Sequence, residues 1–266
     1  MSKEKIVVLV SCHKPFMTID NEIIKPIQVG TALKDKRFDN MLHDNEGQNI
    51  SNKNKRYCEL TAQYYAWKNI DADYYGFMHY RRYLSFADKN FKHVPFKNPV
   101  HDVFSENVEK ALGLDEQTIA KKLEGYDAIL PKKMVLLPGN YNWYKRSKGH
   151  YIRDLDFCFE VIREDYPEIY PFVKQHKRSR SSYMCNMFIL KKEYFDRYSA
   201  FLFDVLQKHE DEYDCRDYDT YAYRVSGFLS ERLFDVFMRY LEKTEKIKVK
   251  RVQWITYKKI PVKEEK

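Results

Sequence analysis

No run of this sequence approaches the roughly 20 consecutive apolar residues that a membrane-spanning helix needs. Glycine is scarce, with 8 in 266 residues. Neither G-x-G-x-x-G nor G-x-x-x-x-G-K-[ST] occurs, so a bound nucleotide would have to be held without a dinucleotide fingerprint or a P-loop. The five cysteines, Cys12, Cys58, Cys158, Cys185 and Cys215, are odd in number, widely spaced and without a C-x-x-C pair. That excludes a disulfide frame or a structural zinc site and suits reduced thiols. His93 and His101 lack metal-ligand spacing as well. Met1-Ser2-Lys3-Glu4-Lys5 leads directly into a short apolar strand, without the longer apolar region and small-residue cleavage site of a signal peptide. The expectation is a soluble cytoplasmic protein, with peripheral membrane contact left open.

What the chain does have is apolar content, aromatics and positive charge. Hydrophobic residues make up 44%, enough for the core of one large α/β domain, and no repeat or low-complexity linker divides it. Tyrosine (22) and phenylalanine (17) are abundant. Tyrosine offers an apolar face and a hydroxyl, which suits polar ligands such as sugars, although core packing accounts for most aromatics in most proteins. The net charge of +8 favours nucleic acid, anionic lipid and phosphorylated small molecules equally.

One stretch organises the rest. Tyr74-Tyr75-Gly76-Phe77-Met78 is an apolar run of strand length that ends in His79-Tyr80-Arg81-Arg82. A buried central strand delivers polar groups to the rim of a sheet in this way, and ligands of open α/β sheets bind at that rim. Two adjacent guanidiniums there suit a diphosphate. Salt bridges from Arg81 and Arg82 to surface carboxylates are the plainer alternative. Ile6 to Val10 is a second buried strand, ending in Ser11-Cys12-His13, and Ser11 and His13 are either ligand contacts or turn-formers. Residues 16 to 55 are polar and turn-rich.

Tyr57 to Asn69 carries Leu60, Tyr64 and Trp67 at helical spacing, with Glu59 in the first turn, where a carboxylate favours the helix dipole. Asp71-Ala72-Asp73 resembles a D-x-D metal motif in letters only, since it precedes the strand. A helix capped by Asp115 is expected to Leu123, a strand over Tyr126 to Leu130, and a long aromatic loop over residues 137 to 150. The spacing then predicts a helix from Tyr151 to Asp165, on which Asp154 and Asp156 cannot face the same way. The basic run Lys174 to Arg180 could hold phosphate, anionic membrane or nothing specific. A strand over Tyr183 to Leu190 has Asn186 as its inserted polar residue, which needs a partner such as backbone or a sugar hydroxyl. Helices are expected over Glu193 to Gln207 and from Arg224 to about Leu241. Ser226 or Ser230 would cap the latter, with Glu231 in or near its first turn, as a dipole-favouring carboxylate or a surface partner of Arg232. Lys243 to Lys266 reads as a charged, mobile tail with a short strand at Val249 to Ile255.

Several segments together resemble the bacterial capsular and exopolysaccharide glycosyltransferases long catalogued as domain of unknown function 4422. They are Val10-Ser11-Cys12-His13-Lys14, Asn49-Ile50-Ser51 with Tyr57-Cys58-Glu59-Leu60, Tyr75-Gly76-Phe77-Met78-His79-Tyr80-Arg81-Arg82-Tyr83, Ile129-Leu130-Pro131-Lys132, His150 followed by Asp154-Leu155, Asn186-Met187-Phe188-Ile189, and Gly227-Phe228-Leu229-Ser230-Glu231-Arg232-Leu233. The resemblance implies an α/β, GT-A-like (Rossmann-like) fold with a mixed, mainly parallel sheet flanked by helices. It implies one such domain over residues 1–242, followed by the lysine-rich tail at 243–266. Its activity would be transfer of a sugar from a nucleotide-sugar donor, UDP-linked and in some members UDP-galactofuranose, to a lipid-linked saccharide at the inner membrane face. GT-A enzymes usually end the central strand in a D-x-D that holds a divalent metal. Here that strand ends in His79-Tyr80-Arg81, so no metal ligand is assigned and dependence on Mn or Mg stays open. Fixed cations can neutralise a departing diphosphate instead, and His79, Arg81 and Arg82, with Ser11 and His13, are the candidates. By position in such folds, Glu231 is the first choice for the acceptor-activating base and Asp154 the second. Asn186, His150 and Glu59 stand as candidates on the sugar and acceptor side.

A nucleic-acid-binding protein is the rival suggested by a pI near 9.0. It is disfavoured because most aromatics fall on buried-looking helix faces and no binding motif is present. A nucleotide-sugar hydrolase or nucleotidyltransferase, and a non-catalytic polysaccharide-assembly partner, are further alternatives.

Overall fold

The structure, a computed structural model, describes residues 4–88, 91 and 100–262. His93 lies outside them. The β-branched run of β1 (Ile6–Cys12) is buried on both faces, as an interior parallel strand requires. β2 (Ile24–Gln28) pairs with it in parallel, and β3 (Leu42–His43) extends that edge. β2 falls in the region expected to be turn-rich, where Pro26 interrupts its strand pattern.

The helix expected over Tyr57 to Asn69 is broken in two. α1 (Asn54–Tyr57) and α2 (Leu60–Asn69) meet at Cys58, whose backbone adopts φ 51°, ψ −129°. The face of α2 also differs from the expected stripe: Leu60, Ala62, Tyr65 and Ala66 are buried, whereas Tyr64 and Trp67 stay partly exposed against Phe203.

β4 (Tyr74–His79) runs parallel to β1 on its other side, with Ser11 opposite His79. Gly76 is needed there, because a Cβ would stand 2.9 Å from both Ile189 Cγ1 and Val8 Cγ2. After the two-residue turn Tyr80-Arg81 the chain reverses into β5 (Arg82–Ser85). β6 (Val100–Val103), α3 (Val108–Leu112) and α4 (Glu116–Leu123) follow, and the Asp115 side chain accepts from Thr118 N–H as an N-cap. β7 (Ala128–Pro131) starts two residues later than expected. β8 (Met134–Val135) comes next.

The segment expected as a loop contains α5 (Asn140–Arg146), which buries Tyr144. α6 (Ile152–Asp165) and α7 (Tyr170–Arg178) form next, and β9 (Ser181–Ser182) pairs with β8. The strand expected from Tyr183 begins only at β10 (Phe188–Lys191), because Cys185 and Asn186 take left-handed φ of 71° and 46°. α8 (Lys192–Glu212) buries Phe195, Tyr198, Phe201, Leu202 and Leu206 as its spacing predicts. α9 (Val225–Tyr240) starts without a side-chain cap, so neither Ser226 nor Ser230 has that role. Both serines are buried inside the helix, and Glu231 lies more than one turn from its start.

The lysine-rich segment supplies β11 (Val249–Lys259), longer than expected and internal to the sheet. It pairs in parallel with β6 and β7 and antiparallel with β5. The sheet is therefore mixed, as expected, and among the described strands five of its pairings are parallel and four antiparallel. β3, β2, β1 and β4 run parallel, while β4, β10, β7, β11 and β5 close into a ring in which antiparallel pairings predominate. Alternate residues of the strands feed two cores. Leu9, Ile27, Tyr75, Phe77, Phe188 and Leu190 pack under α2 and α6 to α9, and Val8, Val10, Ile24, Met78 and Ile189 under α3 and α4.

Candidate functional site

The parallel strands β1 and β4 lie side by side, and β1 is flanked by β2 on one edge and β4 on the other, so the strand order reverses between them. Open α/β sheets bind ligands beyond the carboxyl ends of their strands at such a point. A cleft of about 870 Å³ opens there. Ser11, His13, His79, Tyr80, Arg81 and Arg82 come from the strand ends, and Asn54, Lys55, Cys58 and Glu59 from the α1–α2 junction. Cys185 and the 218–231 segment complete it with Tyr218, Tyr221, Tyr223, Arg224, Phe228 and Glu231.

The arginine turn is pinned from two directions. Tyr80 N–H donates to Ser11 O, and Tyr257 N–H of β11 donates to Arg81 O. The ion pairs formed among the described residues include neither Arg81 nor Arg82, nor Arg224. Among the described residues, then, the two arginines are not surface salt-bridge partners. Arg224 Nε instead donates to Cys58 Sγ at 3.3 Å, and its guanidinium stands 5.7 Å from the Phe228 ring. Burial holds the His13 imidazole below its ordinary pKa, and Lys34, Lys14, Arg81 and Arg224 push the same way. Four cations around one imidazole describe a pocket of positive potential.

The floor is a different construction. Three residues with left-handed φ and a side chain, Cys58, Cys185 and Asn186, surround it. Each such conformation costs of order 1 kcal/mol or more and persists only where its surroundings enforce it. Here they hold the polar groups. Cys185 N–H donates to Glu231 Oε1 at 2.7 Å, His79 Nε2 donates to Cys185 O at 2.5 Å, and Asn186 Nδ2 donates to Glu59 Oε1 at 2.8 Å. Burial keeps the His79 pKa low against the opposing charge of Glu59, and Arg82 lowers it further. The neutral ring with its proton on Nε2 leaves Nδ1 as an acceptor. The second Glu231 oxygen accepts from Arg232, which is buried rather than on the surface and lies over the Tyr144 ring. Glu231 thus has both oxygens engaged, while Glu59 Oε2 has no hydrogen-bond partner among the described residues.

Of the residues singled out in the sequence, Ser11, His13, Glu59, His79, Arg81, Arg82 and Glu231 meet at this cleft. Asn186 lies just beneath it, in a small recess with Ser11, Glu59 and His79. Two do not reach it. Asp154 is fully buried, accepting from Tyr218 Oη at 2.9 Å and lying 3.2 Å from His209 Nε2. The His150 ring stacks behind the cleft wall on Phe228, with centroids 4.1 Å apart, and burial depresses its pKa to about 4. Sequence reasoning missed Lys55, Arg224 and the tyrosines at 218, 221 and 223. The only available signal was the density of tyrosine and arginine in a segment between two helices.

Among the described residues no group of three or more histidine, cysteine, aspartate or glutamate side chains is placed to hold a metal ion. Among the described residues no helix is long and apolar enough to cross a membrane.

No curated protein matches the sequence. The apo structure of WbbM, a bifunctional glycosyltransferase, superposes with a TM-score of 0.92 at 36% identity, over 96% of this chain and 46% of that one. The chain therefore spans about half the length of that protein. The model of the family described as domain of unknown function (DUF4422) matches residues 7–244, and the chain belongs to that family.

Proposed function

We propose that the chain is a glycosyltransferase that moves a sugar from a nucleoside diphosphate donor to a hydroxyl of a saccharide acceptor. One observation carries this reading: guanidiniums without carboxylate partners among the described residues line the same cleft as two carboxylates held in fixed positions. The likeness to a bifunctional glycosyltransferase over 96% of the chain supports it. In the finer reading the donor is UDP-linked, with UDP-galactofuranose as the first sugar to try. The acceptor is a lipid-linked saccharide of capsule, exopolysaccharide or O-antigen assembly, met at the cytoplasmic membrane face.

In this mechanism the diphosphate lies against Arg81, Arg82 and Arg224, with Ser11 and His13 beside it. As the bond between the anomeric carbon and the diphosphate oxygen breaks, both electrons leave with the diphosphate, and fixed guanidiniums stabilise the developing charge without reorganising. The acceptor oxygen attacks the anomeric carbon while its proton passes to a carboxylate. Glu59 fits that task better than Glu231, because its Oε2 is unengaged whereas both Glu231 oxygens already accept hydrogen bonds. Glu231 then supplies a fixed negative charge beside the electron-poor sugar. Neutral His79 keeps Nδ1 free to accept a hydrogen bond from a donor hydroxyl. Asp154, enclosed away from the cleft, has no part in the step.

Calorimetric binding of UDP tests the reading, with GDP, CDP and ADP as comparisons and with EDTA or manganese present. Selective UDP binding that survives EDTA and weakens about tenfold to a hundredfold in Arg81→Ala is the expected result, since a charge-assisted hydrogen bond contributes about 1.5–3 kcal/mol. Binding that requires manganese would keep the transferase and overturn the fixed-cation route. Absence of nucleotide binding under every condition would overturn the transferase.

A further inference from the structure

Charge is unevenly distributed along this chain. Residues 128–153 contain no aspartate or glutamate but carry Lys132, Lys133, Lys145, Arg146, Lys148 and Arg153, and residues 169–192 likewise contain none. The fold brings the two stretches together. Val135 pairs with Ser181 in the β8–β9 ribbon, Leu136 N–H donates to Arg180 O, and Asn140 N–H donates to Ser179 O. On the outside of this junction Leu137 is 55% exposed, Val135 42% and Trp143 39%. Leu136 between the first two is buried, as strand alternation requires, so Val135 and Leu137 point outward together. Exposed Lys132, Lys145, Arg146, Arg178 and Arg180 surround them in sequence and fold.

Each element has a separate reason to meet a lipid surface. Aliphatic side chains gain by entering the acyl boundary, and a tryptophan is most favourable at headgroup depth. Lysine and arginine around them attract anionic headgroups while their stems lie along apolar surface. A nucleic acid would use the cations but leave Val135 and Leu137 in water. A protein partner would have to be strongly acidic around an apolar centre. We propose that the β8–α5 face, with the flanking Arg178–Arg180 segment, is an interfacial surface that docks on an anionic lipid bilayer.

The surface adjoins the cleft. Tyr144 of α5 makes an edge contact with His150 at 4.6 Å, and His150 stacks on Phe228 of the cleft wall. α5 thus lies between this surface and the cleft, joined to the cleft wall through Tyr144 and His150, which suits an acceptor carried on a lipid. That consequence rests on the proposed function; the docking surface does not.

Vesicle co-sedimentation of the full chain, on phosphatidylcholine alone and mixed with phosphatidylglycerol, is the direct test and requires no sugar transfer. Binding is expected on the mixed vesicles only, decreasing as salt rises. Arg178→Ser with Arg180→Ser should weaken it about tenfold to thirtyfold, at roughly 1 kcal/mol per cation. Leu137→Ser with Trp143→Ser should weaken it comparably. Lys110→Ser with Lys121→Ser, removing the same charge from α3 and α4, should leave it within about twofold. Of the three tryptophans, Trp67, Trp143 and Trp254, only Trp143 should shift its emission to the blue on vesicles, so Trp143→Phe should abolish the shift. Equal losses in the α3–α4 control would overturn the proposal in favour of unspecific charge attraction. Vesicle binding that is absent, or present without a Trp143 shift, would also overturn it. Self-association lost in the Leu137–Trp143 variant without vesicle binding would assign the face to a protein partner.

Discussion

The cleft floor and the cluster around Asp154 are built from the same side chains, a carboxylate, an imidazole, an arginine and a tyrosine, yet they end in different states. Around Asp154 the hydrogen bonds turn inward. Tyr218 donates to it, His209 lies beside it, and Arg56 donates to His209 Nδ1, all with Asp154 and His209 fully enclosed. At the floor, Glu59 and His79 line the cleft with one oxygen and one nitrogen that have no hydrogen-bond partner among the described residues. A second enclosed cluster repeats the inward pattern: Asp235 lies between His176, Lys133 and Arg239, which hold its carboxyl far below the usual range despite burial. Residue type does not separate a reactive group from a structural one. In the proposed mechanism, unfilled hydrogen-bonding capacity facing a cleft does.

The contrast predicts a clean division between activity and stability. Glu59→Gln should lower sugar transfer by about a hundredfold to ten-thousandfold, the range of a lost general base, with an unfolding midpoint in urea close to wild type. A stability loss in Glu59→Gln as large as that of an enclosed carboxylate would make the floor structural and break the comparison. Asp154→Ala should do the reverse. It removes the acceptor that Tyr218 Oη and His209 Nε2 face in the interior, and urea denaturation should register a loss of about 3–5 kcal/mol. Nucleotide affinity per folded molecule should then change little.

His150 tests the wall between the two regions. Its folded pKa of about 4 is below the ordinary value, so between roughly pH 6.5 and 4 the unfolded chain takes up a proton that the folded chain refuses. Stability from the neutral ring is present above pH 6.5 and declines as pH falls toward 4, by up to about 3 kcal/mol. In His150→Phe, which keeps a ring against Phe228, urea midpoints should lose that share of their acid dependence. A variant with an unchanged acid slope would place the titration elsewhere. The smallest expected effect is Arg224→Ala. Nucleotide binding should weaken about tenfold by calorimetry, with the melting temperature held, because this cation pairs with no carboxylate among the described residues.

The organising strand was legible because an apolar run ending in a histidine and two arginines has few ways to fold. The long helices α6 and α8 were legible from their spacing. β11 was not, since its buried Val252, Trp254, Ile255 and Tyr257 are interleaved with lysines and an arginine that read as a solvated tail. Pro138 and Gly139 disguised the start of α5. The break at Cys58 left no local trace, because the residues around it would continue a helix. It comes from tertiary packing: Gly227 of α9 lies so close that a Cβ there would approach Cys58 Sγ to 3.3 Å. Most of all, Asp154, Glu59 and Glu231 are equivalent as letters. What distinguishes them are partners far away in the chain, such as Asn186 for Glu59 and Cys185 for Glu231.

The ring of strands has a consequence for synthesis. The turn at Tyr80-Arg81 emerges from the ribosome early, but one of the two backbone hydrogen bonds that pin it comes from Tyr257, near the last described residues. Beyond its pairing with β4 at Arg82, β5 has no strand partner among the described residues until β11 exists. The anion pocket is therefore closed only once β11 has joined the sheet, and a chain made as far as β5 carries its arginines on an unclosed edge.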